Sequence, residues 1–125
     1  MSTLVTGGTG LVGSSISQGV KLSSGDGDLR DWNQTLELFE YHKPKKVIHC
    51  AGKVGGIKAN IESPYDFLYE NTTILSNVIN ASHKNNIEKF INISSSCIYP
   101  RESKCPIKED SIGIGCVEPT NEGYA

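Results

Sequence analysis

The sequence predicts an α/β fold built on a doubly wound parallel sheet, and three observations carry that prediction. Short apolar runs at Leu4–Thr6, Val47–Ala51 and Phe90–Ser94 alternate with longer segments of helical periodicity. A glycine triplet, Gly7, Gly10 and Gly13, follows the first run directly. The later runs also open into small-residue turns, Gly52–Gly56 and Ser94–Ser96.

Taken in order, Leu4-Val5-Thr6 is a buried strand that ends in the tight turn Gly7-Gly8-Thr9-Gly10. A helix is expected from Leu11 to about Gln18, stopped by Gly19, and Val20–Ser23 makes a short second strand before the polar stretch Ser24–Gly27. Asp31 with Gln34 forms a capping-box pattern, so a helix runs from Asp31 to about His42 and stops before Pro44. Val47–Ala51 is the third strand. Ser63-Pro64 followed by Asp66 starts another helix, with proline suited to the first helical position. Phe67, Leu68, Ile74, Leu75, Val78, Ile79 and Ala81 continue it at helical spacing to about Lys84. Phe90–Ser94 is the fourth strand, and loops punctuated by Pro100, Pro106 and Pro119 follow Cys97. This βαβαβαβ order opens a Rossmann-type dinucleotide fold.

Composition narrows the function. With 125 residues, 37% hydrophobic and 21% charged, the chain fits one compact globular domain. A formal charge of −2 without a basic stripe argues against nucleic acid and anionic membrane as partners. No apolar run approaches a bilayer span, and the N-terminus reads as a first strand rather than a signal peptide. The four cysteines, Cys50, Cys97, Cys105 and Cys116, have no metal-site spacing, so reduced thiols in a cytoplasm are expected and no metal.

The glycine triplet forms a GxxGxxG pattern at the first strand–helix junction. One glycine permits the tight turn, one lets backbone amides approach a pyrophosphate, and the third allows close helix–sheet packing. The helix start then presents unpaired N–H groups to the phosphates. Whether the cofactor carries a 2′-hydroxyl or a 2′-phosphate is left open by Lys21, Ser23, Ser24 and Asp26, which stand where the ribose would be read.

Ser94-Ser95-Ser96-Cys97-Ile98-Tyr99-Pro100 follows the fourth strand, at the carboxyl edge where such sheets place their sites. A hydroxyl there can bond a substrate carbonyl, and a thiol beside it can act as a base near a positive group. Serines that cap a loop and a cysteine that fills a small core gap are the plainer readings, and both stay open. Tyr124 is a second acid candidate, but a phenol needs a neighbouring cation to yield its proton at neutral pH, and none stands nearby in sequence.

Ala51-Gly52-Lys53-Val54-Gly55-Gly56-Ile57-Lys58-Ala59-Asn60, Ser94–Pro100 and Glu118–Ala125, together with the glycine turn, resemble the nucleotide-sugar enzymes of the extended short-chain dehydrogenase/reductase family. The likeness runs over nearly the whole chain. It implies NADP (NADPH) as cofactor, a GDP-sugar as substrate, and 3,5-epimerisation with 4-reduction of GDP-4-keto-6-deoxy-D-mannose to GDP-L-fucose. It further implies that Gly7, Gly8, Thr9, Gly10, Leu11, Val12 and Gly13 hold the pyrophosphate, with Asp28 and Leu29 beside the adenine. Ala51, Gly52 and Lys53 would line the cofactor past the third strand. Ile93, Ser94, Ser95 and Ser96 would pass the nicotinamide side. Ser95 corresponds to the catalytic serine, Cys97 to the epimerisation acid/base, and Tyr124 to the tyrosine of a YxxxK motif. The same resemblance implies a homodimer to which the helix after Pro64 contributes.

Several features depart from the family pattern. The motif lysine would fall at the fourth position after Tyr124, beyond Ala125, and the family's acid histidine and substrate domain find no counterpart. Residues 1–125 are therefore expected to be an N-terminal cofactor-binding domain, inactive alone. The segment from Ser14 to Asp28 is short, and Gly123 replaces a common proline. A 4-epimerase or 4,6-dehydratase of the same superfamily is an alternative that Cys97-Ile98 argues against. A non-catalytic nucleotide-binding module is the other.

Overall fold

A computed structural model describes residues 2–125. The element order is β1 (Thr3–Thr6), α1 (Leu11–Ser15), β2 (Val20–Leu22), α2 (Trp32–His42), β3 (Lys46–His49), α3 (Ile57–Glu62), α4 (Pro64–Lys84) and β4 (Lys89–Asn92). Three 3-10 turns follow, at Ser96–Ile98, Glu109–Ser111 and Pro119–Asn121. The chain divides into two compact units: one runs to Gly52 and resumes at Thr72–Ile93, the other holds Lys53–Asn71 and Ser94–Ala125.

The first unit contains the sheet. Its four strands are all parallel, in the order β2-β1-β3-β4, with Leu4 beside Val20 and Val47, and Val47 beside Phe90. Right-handed crossovers are the rule for parallel strands, so the reversal of direction at β1 sends α1 to one face and α2 to the other. The apolar core lies between the sheet and helices α2 and α4: Leu4, Leu22, Phe39, Val47, Val78 and Ala81 are buried, and Leu29, Trp32, Leu38, Ile87 and Phe90 pack around them. The Asn77 amide donates to the Leu29 and Arg30 carbonyls at 2.9 and 3.0 Å, fastening α4 to the loop before α2.

All seven predicted elements are present, and their edges differ. The first helix ends at Ser15 rather than near Gln18. Gly13 weakens it, and the Ser14 and Ser15 hydroxyls both bond back to Leu11 O at 3.2 Å, competing with the helical ladder. Gly19, at φ +101, turns the chain into β2. The capping box at α2 is half of what its pattern predicts: Asp31 Oδ1 accepts from Gln34 N at 2.9 Å, but Gln34 Oε1 takes the Asp28 N–H instead of the Asp31 N–H. β3 and β4 each begin one residue before the predicted start and end two residues earlier.

The second unit holds what the sequence left as loop. Helix α3 lies between Gly56, its N-cap, and Ser63. Buried Asn60 donates to the carbonyls of Gly55 and Gly56, both at 3.1 Å, and so closes the glycine turn onto the helix. Phe67, at the start of α4, is buried, with Gly55 against its ring and Tyr124 edge-on at 6.3 Å between centroids. Gly123 is more than a loop substitution, because a Cβ there would strike the Pro64 carbonyl. Among the described residues no helix is long and apolar enough to cross a membrane, and no His/Cys/Asp/Glu group could hold a metal.

Candidate functional site

In the first unit the candidate site sits where β1 and β3 are adjacent and the strand order reverses. Open parallel sheets bind ligands in the crevice beyond the carboxyl ends of such a pair. Two backbone turns meet there. Gly7, at φ +66, takes a left-handed conformation, and a Cβ on it would lie 2.7 Å from Ala51 N, so only glycine admits this approach. A Cβ on buried Gly13 would strike the Gly7 carbonyl oxygen, which explains the third glycine as a packing requirement. Gly10 is exposed and its Cβ would meet only Gly7 O, at 3.3 Å, so it leaves bare backbone toward solvent.

The amides of this turn divide into two groups. Gly8 N–H is engaged by Leu22 O at 2.7 Å and Gly10 N–H by Gly7 O at 3.0 Å. The first helical bond of α1 is Ser14 N–H to Gly10 O at 2.9 Å, so the amides of Leu11, Val12 and Gly13 lie ahead of the helical ladder. These are the donors a pyrophosphate would use. Thr9 and Val12 are exposed beside them, and Leu11 is 90% exposed, an apolar side chain at the mouth of the turn.

The ribose side is more occupied. Asp26 Oδ2 accepts from Ser23 N and Ser23 Oγ at 2.7 and 2.8 Å, and these bonds hold its carboxyl below the usual carboxylate range. Lys21 Nζ donates to Ser14 O at 2.7 Å, at the end of α1. Asp28 is gripped by Arg30, with Nε and Nη2 at 2.9 and 2.8 Å, and the guanidinium lowers its pKa. Leu29 packs against the core and lends its carbonyl to Thr35 and Asn77. The turn therefore fits a pyrophosphate, while the cations nearest the ribose position already have partners.

Beneath this edge lies a buried polar pair that the sequence reading passed over. Thr6 Oγ1 and His49 Nδ1 are 2.6 Å apart, and Phe90 stacks on the imidazole at 6.2 Å. Desolvation lowers the His49 pKa from 6.5 to about 4, so the ring is neutral at pH 7. Ala51 N also reaches Thr6 Oγ1, at 3.4 Å, and Ile93 N donates to His49 O at 2.9 Å, tying the chain after β3 and after β4 to the same pair. Ala51 and Gly52 close this unit.

The second unit gathers Lys53 and the proton-transfer candidates. Lys53 is clamped at its backbone by Asn71, which accepts from Lys53 N at 2.6 Å and donates to Lys53 O at 3.0 Å. Its ammonium lies 2.6 Å from Glu70 Oε1 and 5.6 Å above the Phe67 ring. Ser95 Oγ accepts from Cys97 N at 3.2 Å and caps the turn Ser96–Ile98, so the plainer loop-cap reading of this serine is realised. Ser94 and Ser96 are exposed; Cys97 is half-buried, and all four cysteines are free thiols. Tyr124 is half-buried with its N–H on Asn121 O at 3.0 Å. Asn121 also donates through Nδ2 to Cys97 Sγ at 3.0 Å. No pattern in the sequence marks Asn121 for that contact, which joins side chains 24 positions apart.

A glycine turn at the switch point of a parallel sheet defines the class, a dinucleotide-binding α/β protein. The chain belongs to the NAD dependent epimerase/dehydratase family, whose profile matches residues 3–125. It is 41% identical to GDP-L-colitose synthase of Yersinia pseudotuberculosis, covering 100% of this chain and 43% of that protein. It is 38% identical to GDP-L-fucose synthase of Dictyostelium discoideum, covering 99% and 42% respectively. Among solved structures, a GDP-L-fucose synthetase from Naegleria fowleri bound to NADP superimposes with a TM-score of 0.87 at 32% identity, over 98% of this chain and 40% of that one. The chain thus spans about two fifths of the length of these relatives.

Proposed function

We propose that this chain carries the cofactor-binding turn and the first proton-transfer residues of an NADPH-dependent epimerase-reductase that converts GDP-4-keto-6-deoxy-D-mannose to GDP-L-fucose. The observation that carries the reading is the placement of Ser95, Cys97 and Tyr124 in one unit, linked through Asn121. The glycine turn of the other unit supports the cofactor role. Residues 1–125 would serve as the nucleotide-binding domain, in a reducing cytoplasm that suits four free thiols. Exposed Tyr65, Leu68 and Tyr69 on α4 support pairing of two copies through that helix.

The chemistry follows from the ketone at C4, which acidifies the hydrogens at C3 and C5. Cys97 Sγ removes each as a proton, and the electron pair moves onto the C4 oxygen as an enolate. Ser95 and Tyr124 hydroxyls donate to that oxyanion. A second acid on the opposite face delivers a proton that inverts the centre and restores the ketone, while the proton on Cys97 passes to solvent. NADPH, when bound, supplies the hydride that reduces C4. Tyr124 then gives its proton to the resulting alkoxide. The amides of Leu11, Val12 and Gly13 hold the pyrophosphate throughout.

Titration of the chain with NADPH, followed through the emission of the dihydronicotinamide, tests the cofactor role. Saturable enhancement that Gly13→Val removes is expected, since the added side chain would fill the turn. Equal binding by the variant would sink it. For the epimerase step, residues 1–125 are joined to the remaining part of the Dictyostelium discoideum relative; deuterium from heavy water should enter the GDP-keto-sugar at C3 and C5 in that hybrid, and Cys97→Ala should abolish the entry. Wash-in that survives the substitution rules out Cys97 as the base.

A further inference from the structure

We propose that Asn121 is a positioning residue for Cys97: its amide N–H bonds Sγ, fixes the thiol's direction and favours its thiolate form. The inference deepens the reading of Cys97 as the epimerisation base and rests on it.

The geometry is specific. Asn121 ends the 3-10 turn Pro119–Asn121 and sends Nδ2 to within 3.0 Å of Cys97 Sγ. A neutral thiol is a weak acceptor, whereas a thiolate accepts strongly, and charge-assisted hydrogen bonds are the short ones. Among the described residues Asn121 Oδ1 is buried without a hydrogen-bond partner, so the sulfur contact is the polar bond that orients this side chain. Ser95 Oγ meanwhile accepts from Cys97 N at 3.2 Å. The cysteine is thus held at its backbone by one candidate residue and at its sulfur by Asn121.

Asn121 also reaches the phenol-bearing segment. Its carbonyl accepts from Tyr124 N and Ala125 N, both at 3.0 Å. One residue therefore fixes the sulfur through its side chain and the start of the tyrosine turn through its backbone.

Few charges compete with this bond. The turn Ser96–Ile98 carries none. On the other turn, Glu118 Oε1 is engaged by Thr120 N and Thr120 Oγ1 at 3.4 Å, and Glu122 is exposed. Helix α3, which packs against that turn, offers Lys58 and Glu62, paired with each other at 3.8 Å. Among the described residues, Asn121 Nδ2 is the group that bonds the sulfur.

The test reads thiol chemistry, not turnover, and uses the 125-residue chain itself. Iodoacetamide alkylation is followed by peptide mass spectrometry, so that Cys105 and Cys116, both exposed, serve as internal references. Asn121→Leu is expected to slow Cys97 alkylation at neutral pH by roughly ten- to a hundred-fold, the scale of one hydrogen bond to a charged group. The difference should close at about pH 10, above the ordinary thiol range. Asn121→Asp keeps the shape, removes the N–H and adds a negative charge, so it should slow the reaction further; a residue that only holds the fold would tolerate it. Wild-type rates for Cys97 in Asn121→Asp overturn the proposal, and so does a change shared equally by all the cysteines. Loss of the epimerase reading would look different: Cys97→Ala in the hybrid would retain deuterium exchange while the alkylation pattern stood.

Discussion

At the scale of the residue, His49 carries a liability that the sequence hides. Val-Ile-His-Cys-Ala reads as a buried strand, and its histidine is 4% exposed in β3, between β1 and β4, bonded to Thr6 and stacked on Phe90. Its folded pKa of about 4 lies below the unfolded value of 6.5. Between those values the unfolded chain binds the proton and the folded one does not, so stability is complete above pH 6.5 and drains as pH falls toward 4. From about pH 7 to pH 5 the loss attributable to this group should be about 2 kcal/mol, measured by urea unfolding at each pH. His49→Gln should flatten that dependence; an unchanged slope would place the acid sensitivity elsewhere. Ser95, Cys97 and Tyr124 stand out in the sequence through the family resemblance, whereas their chemistry alone leaves the plainer loop and packing readings open. Asn121 does not stand out, because an asparagine near a proline turn has many ordinary uses and its partner lies 24 residues away.

At the scale of the element, local rules worked where the chain supplies its own caps. Asp31 stops the backbone and bonds Gln34 N, and Lys43 closes α2 in the left-handed conformation at φ 43. Asp31→Ala should therefore cost about 1 kcal/mol in chemical denaturation, and Asp31→Asn most of nothing, since either side-chain oxygen serves as the acceptor. Equal losses for both variants would assign the effect to charge. Helix α3 escaped notice for a physical reason: six residues are too few to show a period, Gly55-Gly56 before it reads as loop, and Ser63-Pro64 after it reads as the start of the next helix. Its stability comes from Asn60 and the packing of the second unit. Helix α1 was overestimated because the apolar pattern continues to Ile16 while serine hydroxyls undercut the backbone ladder.

At the scale of the whole molecule, alternation of strand and helix made the parallel sheet legible, and handedness restricts where helices can lie. Strand order is a tertiary fact. The pairing of Leu4 with Val20 on one side and Val47 on the other depends on buried apolar surface drawn from distant segments. It also ranks the strands. β1 and β3 are bonded on both sides while β2 and β4 are bonded on one, so amides of Leu4–Thr6 and Val47–His49 should be last to exchange with deuterium, and earlier exchange there than in Lys89–Asn92 would contradict the order. The central place of β1 has a consequence for synthesis. Of the four strands, the one made before the others needs neighbours on both flanks, and the second of them lies 43 positions downstream, at Lys46–His49. Until that stretch emerges, Gly7 has no Ala51 to lie against, so β1 waits on β3 for its shape although it is made before the other three strands.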